Sequence, residues 1–178
     1  MKLEQAGAVV RKFVGQNRST VDPKGRFVVG RKVVAQIFAN WGADPDLVLG
    51  VMGGDRCLTL CSKSEWFERR AYLENLPWFS SDNARVRRLN ALVESVEMDP
   101  QNRITFPAML RQLAAIGDEV VLVGCGDYVE LWNPDTWQEA QAQLLADVDA
   151  LQRAGELRSR DLATATSAAN NGTTSGNS

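Results

Sequence analysis

The chain contains no histidine. That absence removes the usual general base at neutral pH and the commonest transition-metal ligand, so Ser-His-Asp triads and histidine-containing zinc sites are excluded. Cysteine is nearly as scarce. Cys57, Cys61 and Cys125 are an odd number with no CxxC spacing, and the first two fall on alternate positions of a strand-like run. They read as small buried residues rather than a disulfide framework or a metal site. Apolar runs are short and interrupted, so no membrane span is expected. The segment Met1-Lys2-Leu3-Glu4-Gln5 lacks the apolar region and cleavage site of a secretory leader, and a cytoplasmic protein is expected. There is also no P-loop and no pair of carboxylates in an evident pocket, which argues against an enzyme, a cofactor or a small-molecule substrate.

What the chain does have is one short motif written twice: Asp22-Pro23-Lys24-Gly25-Arg26 and, 77 residues later, Asp99-Pro100-Gln101-Asn102-Arg103. Proline presets φ for the first corner of a turn, and the aspartate carboxylate can accept bonds from backbone N–H groups ahead of it. The fourth position holds Gly25 or Asn102, the residue types that enter the left-handed region most readily. Alternating segments flank each motif, so each reads as a tight hairpin with the arginine at its exit. Asp22, Gly25, Asp99, Asn102 and Arg103 are assigned to supporting the turns.

Net charge is −2, which by itself discourages a nucleic-acid partner, but the charge is unevenly spread. Arg11 to Lys32 holds seven bases against Asp22, and Asp127 to Asp161 holds eight acids against three arginines. A local field of this kind matters more to a phosphate than the total. Lys24 stands at a hairpin tip and Arg26 at its exit, with Arg18 on the incoming strand and Arg31 and Lys32 at the next helix start. These five are the candidate DNA-binding residues. Arginine offers a planar fork to phosphate or guanine, and a two-stranded ribbon can enter a major groove. The competing reading pairs Asp22 with Arg26 inside the turn. In the second copy Gln101 replaces Lys24 and Glu94 and Glu97 line the approach, so the cationic character is lost there.

The elements repeat in order as strand, turn, strand, helix, strand, strand, capped helix, giving a mainly β fold with peripheral helices in the α+β class. A helix is predicted over 31–40 with Val33, Val34, Ile37 and Phe38 inward. A second is predicted after Pro107 with Met109, Leu110, Leu113 and Ala114 inward and Gly117 closing it. Hairpins are predicted with turns at 53–55 and 124–127. Ser62 with Glu65 and Asn133 with Pro134 open the helices that follow. The spacing from motif arginine to helix tryptophan, Arg26 to Trp66 and Arg103 to Trp137, is six residues longer in the first copy. That insertion is expected in the loop 39–46 and the hairpin 52–55. The expected organisation is an N-terminal extension (1–12), a first unit (13–76), a linker and connecting helix (77–92), a second unit (93–140), a C-terminal helix (141–162) and a disordered tail (163–178).

Phe13-Val14-Gly15 with Val21-Asp22-Pro23-Lys24-Gly25-Arg26, then Glu97-Met98-Asp99-Pro100-Gln101-Asn102-Arg103-Ile104 with Phe106-Pro107, resemble the MraZ transcriptional regulators. Val121-Leu122-Val123-Gly124 through Val129-Glu130-Leu131-Trp132 to Trp137 is similar to that family's closing hairpin and helix. The resemblance covers about residues 13–140. It implies a pseudo-dimer of AbrB-like swapped-hairpin units forming a small β-barrel with helices outside. It also implies a nucleoid-associated regulator of the cell-division and cell-wall gene cluster that binds double-stranded DNA at upstream direct repeats as a homo-oligomeric ring. Its Asp-x-x-x-Arg turns are implicated in DNA contact, which points to Lys24 and Arg26 with Asp22 as support. An AbrB-type antitoxin and a ring-forming assembly protein without specific DNA binding are the alternatives.

Overall fold

Each half of the chain pairs its strands with the other half. In the computed structural model, which describes residues 12–52, 56–74, 86–145 and 147–148, the first half runs β1 (Phe13–Thr20), β2 (Arg26–Val28), α1 (Arg31–Trp41), β3 (Leu47–Gly50), β4 (Cys57–Ser62) and α2 (Lys63–Glu74). A 3-10 turn (Asn90–Leu92) leads into β5 (Val93–Val96), β6 (Arg103–Thr105), α3 (Ala108–Leu113), β7 (Glu119–Gly126) and β8 (Val129–Trp132). Helical backbone follows from residue 134 through 145. The chain divides into two compact units after Trp137, and every named strand lies in the first. In the second, Leu144 and Leu145 are exposed.

The six-stranded sheet has the order β1-β7-β8-β4-β3-β5, and β2 pairs with β6 in a separate ribbon. Exchanging each strand for its counterpart in the other half reverses this order and leaves every pairing in place. The register obeys the same twofold: Arg18 opposite Val121 matches Ser95 opposite Val48, and Thr59 opposite Glu130 lies on the axis. Equivalent residues stand 77 apart at Asp22 and Asp99, 73 apart at Leu47 and Val120, and 71 apart at Ser62 and Asn133. Four extra residues therefore fall between the start of α1 and β3, where α1 has 11 residues against six in α3, and two in the β3–β4 hairpin, whose tip lies outside the described residues.

Among the described residues the sheet is open, which corrects the expected closed barrel. The ribbon touches the sheet's edge strands through single bridges, Val21 with Phe27 and Met98 with Ile104. With three residues each, β2 and β6 pair with one another along one edge, and their other edges are short and partly taken up within their own turns, where Asp22 N–H donates to the Arg26 carbonyl at 2.8 Å and Asp99 N–H to the Arg103 carbonyl at 2.9 Å. The core lies between sheet and ribbon. Leu49, Leu58, Leu60, Leu122, Val129 and Leu131 from the sheet meet Phe27 and Ile104 from the ribbon, with Phe13, Ile37 and Leu110 closing the sides. Each such side chain contributes about 1.5–3 kcal/mol when fully buried. On the opposite face Trp66 of α2 covers Val48 and Cys61. Burial pushes the Cys61 and Cys125 thiols up to about 12, so both stay protonated at neutral pH and act as apolar filler.

Several local expectations change. Phe38, Met109 and Leu113 are 41%, 40% and 51% exposed rather than inward. Helix α3 has six residues, enough to bury only the narrow stripe of Leu110 with Ala114 beyond it. Its exit uses Ala115 at φ 51, not Gly117. Gly124 to Gly126 belong to β7 rather than to the turn. A Cβ at Gly124 would stand 2.5 Å from the Val14 nitrogen, so glycine is required where β1 comes closest. The caps are as expected: Glu65 N–H donates to Ser62 Oγ at 3.3 Å, and Asp135 N–H to Asn133 Oδ1 at 2.8 Å. Trp66 is buried. The linker at 77–81, Arg85 and the 163–178 tail lie outside the described residues.

Candidate nucleic-acid interface

The two turns have the same internal chemistry. Asp22 Oδ1 accepts from the backbone N–H groups of Lys24 and Arg26, both at 2.9 Å, and Oδ2 accepts from Arg26 Nε at 2.7 Å. Asp99 makes the same three bonds, to Gln101 N–H and Arg103 N–H at 2.9 Å and to Arg103 Nε at 2.7 Å. Gly25 and Asn102 take positive φ, 77° and 59°. The side-chain bond from Arg26, aided by its backbone N–H, holds the Asp22 carboxyl down at about 2. For Asp99, burial pushes upward, but the bonds from Arg103 outweigh it and the carboxyl stays below its ordinary range.

Each turn is fastened to the opposite half. Phe106 N–H donates to the Gly25 carbonyl at 2.9 Å, and Val29 N–H to the Asn102 carbonyl at 2.8 Å. The ribbon between them has two faces. Phe27 and Ile104 point into the core, while Arg26 opposite Thr105 and Val28 opposite Arg103 share the outward face. Arg26 and Arg103 are thus diagonal neighbours, about 7–8 Å apart by sheet geometry. The arginine assigned to bracing the second turn therefore stands beside the one assigned to DNA. Each is about 30% exposed beside its own aspartate.

Where the turns differ is in charge. Lys24 is exposed and has no ion-pair partner among the described residues, whereas Gln101 accepts from Arg103 Nη2 at 3.0 Å. Lys24 borders a cleft of about 370 Å³ whose far wall includes Arg111. Arg111 donates to the carbonyls of Ile116 and Gly117 and lies 4.0 Å from Asp118. Sequence reading missed Arg111. Its signal was available: in the 77-residue alignment it matches Val34, a buried apolar position of the first copy. The second turn opens instead on a groove lined by Asp44, Asp46, Glu97 and Asp99.

The other candidates are scattered around this centre. Arg18 on β1 makes a 3.7 Å ion pair with Glu119, both largely exposed and of small energetic weight. Arg31 and Lys32 are exposed at the start of α1, away from the turn cleft and beside β1. The structure does not bring these three into contact with Lys24. No cluster of three or more metal-ligating side chains occurs among the described residues, and no described helix is long and apolar enough to cross a membrane.

Comparison with known proteins decides the family. The chain is 35% identical over 136 residues to a protein of Coxiella burnetii (strain Dugway 5J108-111) named "Transcriptional regulator MraZ", covering 76% of this chain and 88% of that relative. The chain belongs to the MraZ family. A further relative of the same name, from Legionella pneumophila (strain Corby), is 30% identical over 138 residues, with 76% and 88% coverage. Another from Thermomicrobium roseum is 35% identical over 136 residues, with 75% and 89% coverage. The MraZ family model, described as "MraZ protein, putative antitoxin-like", matches residues 93–157. The match therefore takes in the second Asp-x-x-x-Arg turn, and the three relatives bear the name of a regulator rather than of an enzyme.

Proposed function

We propose that this MraZ-family chain is a DNA-binding transcriptional regulator whose contact centre is the first turn. Lys24 carries the reading: the same rigid turn occurs twice, and only the first copy places an exposed, unpaired cation at its tip. Lys24 meets a phosphate. Arg26 and Arg103, held flat on the ribbon face by their aspartates, follow the groove behind it. Arg18, Arg31 and Lys32 supply the surrounding positive field. The printed name of the relatives supports regulation of transcription as the outcome.

In this reading the two halves are AbrB-like units, 13–76 and 93–140, that have exchanged hairpins, as the reciprocal docking of each turn on the other half supports. One hairpin makes few phosphate contacts, so a single subunit binds weakly and with strong salt dependence. A homo-oligomeric ring presenting several hairpins to tandem upstream repeats of the cell-division and cell-wall cluster raises affinity through effective concentration. The test is a gel shift on the DNA immediately upstream of the gene. Lys24→Ala and Arg26→Ala should abolish the shift with the oligomer intact, and Gln101→Ala should bind as wild type. Equal loss at Gln101 would defeat the assignment to the first turn. The family model's printed description favours a second reading, an antitoxin. Co-purification of a small second chain would select it.

A further inference from the structure

The outward face of the β2–β6 ribbon carries four side chains, and one of them has nothing to offer a phosphate. Arg26 stands opposite Thr105 and Val28 opposite Arg103, so the arginines take one diagonal and Val28 and Thr105 the other. Phe27 and Ile104 are fully buried beneath them, whereas Val28 is 48% exposed and is the apolar member of the four. The backbone under this face is pinned. Val28 N–H donates to Ser19 Oγ on β1 at 3.1 Å, and the ribbon is closed at its two ends by Val29 N–H on the Asn102 carbonyl and Phe106 N–H on the Gly25 carbonyl. A valine side chain turns about one stiff torsion, so its methyls keep a narrow range of positions between the two arginines.

Burial does not account for this valine, and strand preference accounts for only part of it. The internal twofold places Thr105 at the same position of the other half, equally exposed and equally β-branched. Branching suits a strand in both copies. The first copy has in addition given up the hydroxyl that threonine would keep in water, on a face otherwise set with cations.

We propose that Val28 is a specificity residue, reading the C5-methyl of a thymine when the ribbon face lies in a major groove. The inference rests on the DNA-binding reading above and adds a choice of base to it. Base edges in that groove present donors, acceptors and one methyl, that of thymine. Valine has neither donor nor acceptor, so the methyl is the group it can favour, and a cytosine amine set against it would lose water without gaining a bond. The hydroxyl of Thr105 meets donors and acceptors alike and makes no such choice. Arg26 and Arg103, each held through Nε by its aspartate at 2.7 Å, flank the valine and press it to the base edges while their charge engages the duplex on either side.

The test replaces thymine by uracil, which pairs identically and lacks only the methyl. The DNA immediately upstream of the gene is prepared with thymine or with uracil throughout, and each duplex is titrated with the full chain. Wild type should bind the uracil duplex at least roughly fourfold more weakly, the worth of one buried methyl. Val28→Ser should bind the thymine duplex weakly by the same factor and should not distinguish the two. Val28→Ile keeps an apolar end and should still distinguish them. Far-UV circular dichroism checks the fold of both variants, and the uracil comparison uses the unaltered chain, so it judges the contact even where a variant does not fold. Wild-type affinity that ignores the methyl, or a folded Val28→Ser chain that keeps the full uracil penalty, overturns the thymine contact and leaves the DNA reading standing. A wild-type chain that shifts neither duplex removes both together.

Discussion

Replacing Gly25 by alanine and by asparagine separates the backbone demand of the first turn from its charge. Gly25 sits at φ 77°, and a Cβ there would meet Arg111 Nη1 at 3.6 Å and the Phe106 carbonyl at 3.9 Å, both ordinary contacts. Space is therefore not the obstacle. An L-residue with a Cβ pays about 1–2 kcal/mol for the left-handed region. Alanine returns about 0.4–1 kcal/mol by narrowing the unfolded chain. The net loss for Gly25→Ala is then about 1 kcal/mol, near fivefold in the unfolding constant. Asparagine already performs this task in the second copy, where Asn102 holds φ 59° and makes the same bonds to Asp99 and Val29. Gly25→Asn should consequently lose only a few tenths of a kcal/mol. Urea melts of the three proteins at one fixed concentration measure this, with the m-value unchanged. Both variants keep Lys24, so both should retain the gel shift where folded. If asparagine cost as much as alanine, or alanine cost nothing, the left-handed backbone would not be what glycine supplies.

Lys24→Gln, which copies the second turn into the first, should weaken binding evenly across DNA sequences and lower the salt slope by about 0.9 for each engaged subunit, read from a salt titration of the affinity. Gly124→Ala should lose about 1–3 kcal/mol, because its Cβ would press on β1 backbone at 2.5–2.9 Å; Gly117→Ala, with nothing within 4 Å, is the neutral control in the same melts. Asp22 has a depressed carboxyl, about 2 against an ordinary 3.8, so its stabilising bonds are fully present above about pH 4 and are lost as pH falls toward 2. Asp22→Asn should flatten that part of the stability profile, and an unchanged acid limb would show that the turn contributes nothing to it. Leu131→Ala, opposite Leu58 at the centre of the sheet, should cost about 2–5 kcal/mol in denaturant melts.

The local parts of this fold were legible wherever residue type is tied to local geometry. Asp22 and Asp99 announced their turns because proline, a left-handed residue and a carboxylate acceptor follow in fixed order. Ser62 and Asn133 announced helix starts for the same kind of reason. What sequence periodicity missed depends on partners far along the chain. Met109 and Leu113 have inward spacing, but a helix of six residues has room against the core only for Leu110 and Ala114. Gly124 read as a turn residue, since nothing nearby reveals that β1 will pass within contact distance of it. Arg111 reaches the first turn only after β6 has delivered α3 there, and no local pattern carries that.

The duplication supplies a control that a single sequence normally lacks. Both halves must solve one folding problem, so residues that the fold requires recur at equivalent positions: the aspartate acceptor, the residue with positive φ, the arginine held by the aspartate, the helix cap. Positions that the fold leaves open are where the halves part, as Lys24 from Gln101, Arg31 from Ala108 and Lys32 from Met109. Arg26 and Arg103 belong to the first class by their bonds, yet the ribbon sets them together on an outward face. Their presence therefore explains the turn before it explains any ligand, and a mutation at either one removes support and charge at once. Lys24 has no structural duty of its side chain to lose. It is the position at which a binding defect can be read as lost contact rather than a lost turn, and that makes the lysine, more than the arginines, the residue on which the DNA reading stands or falls.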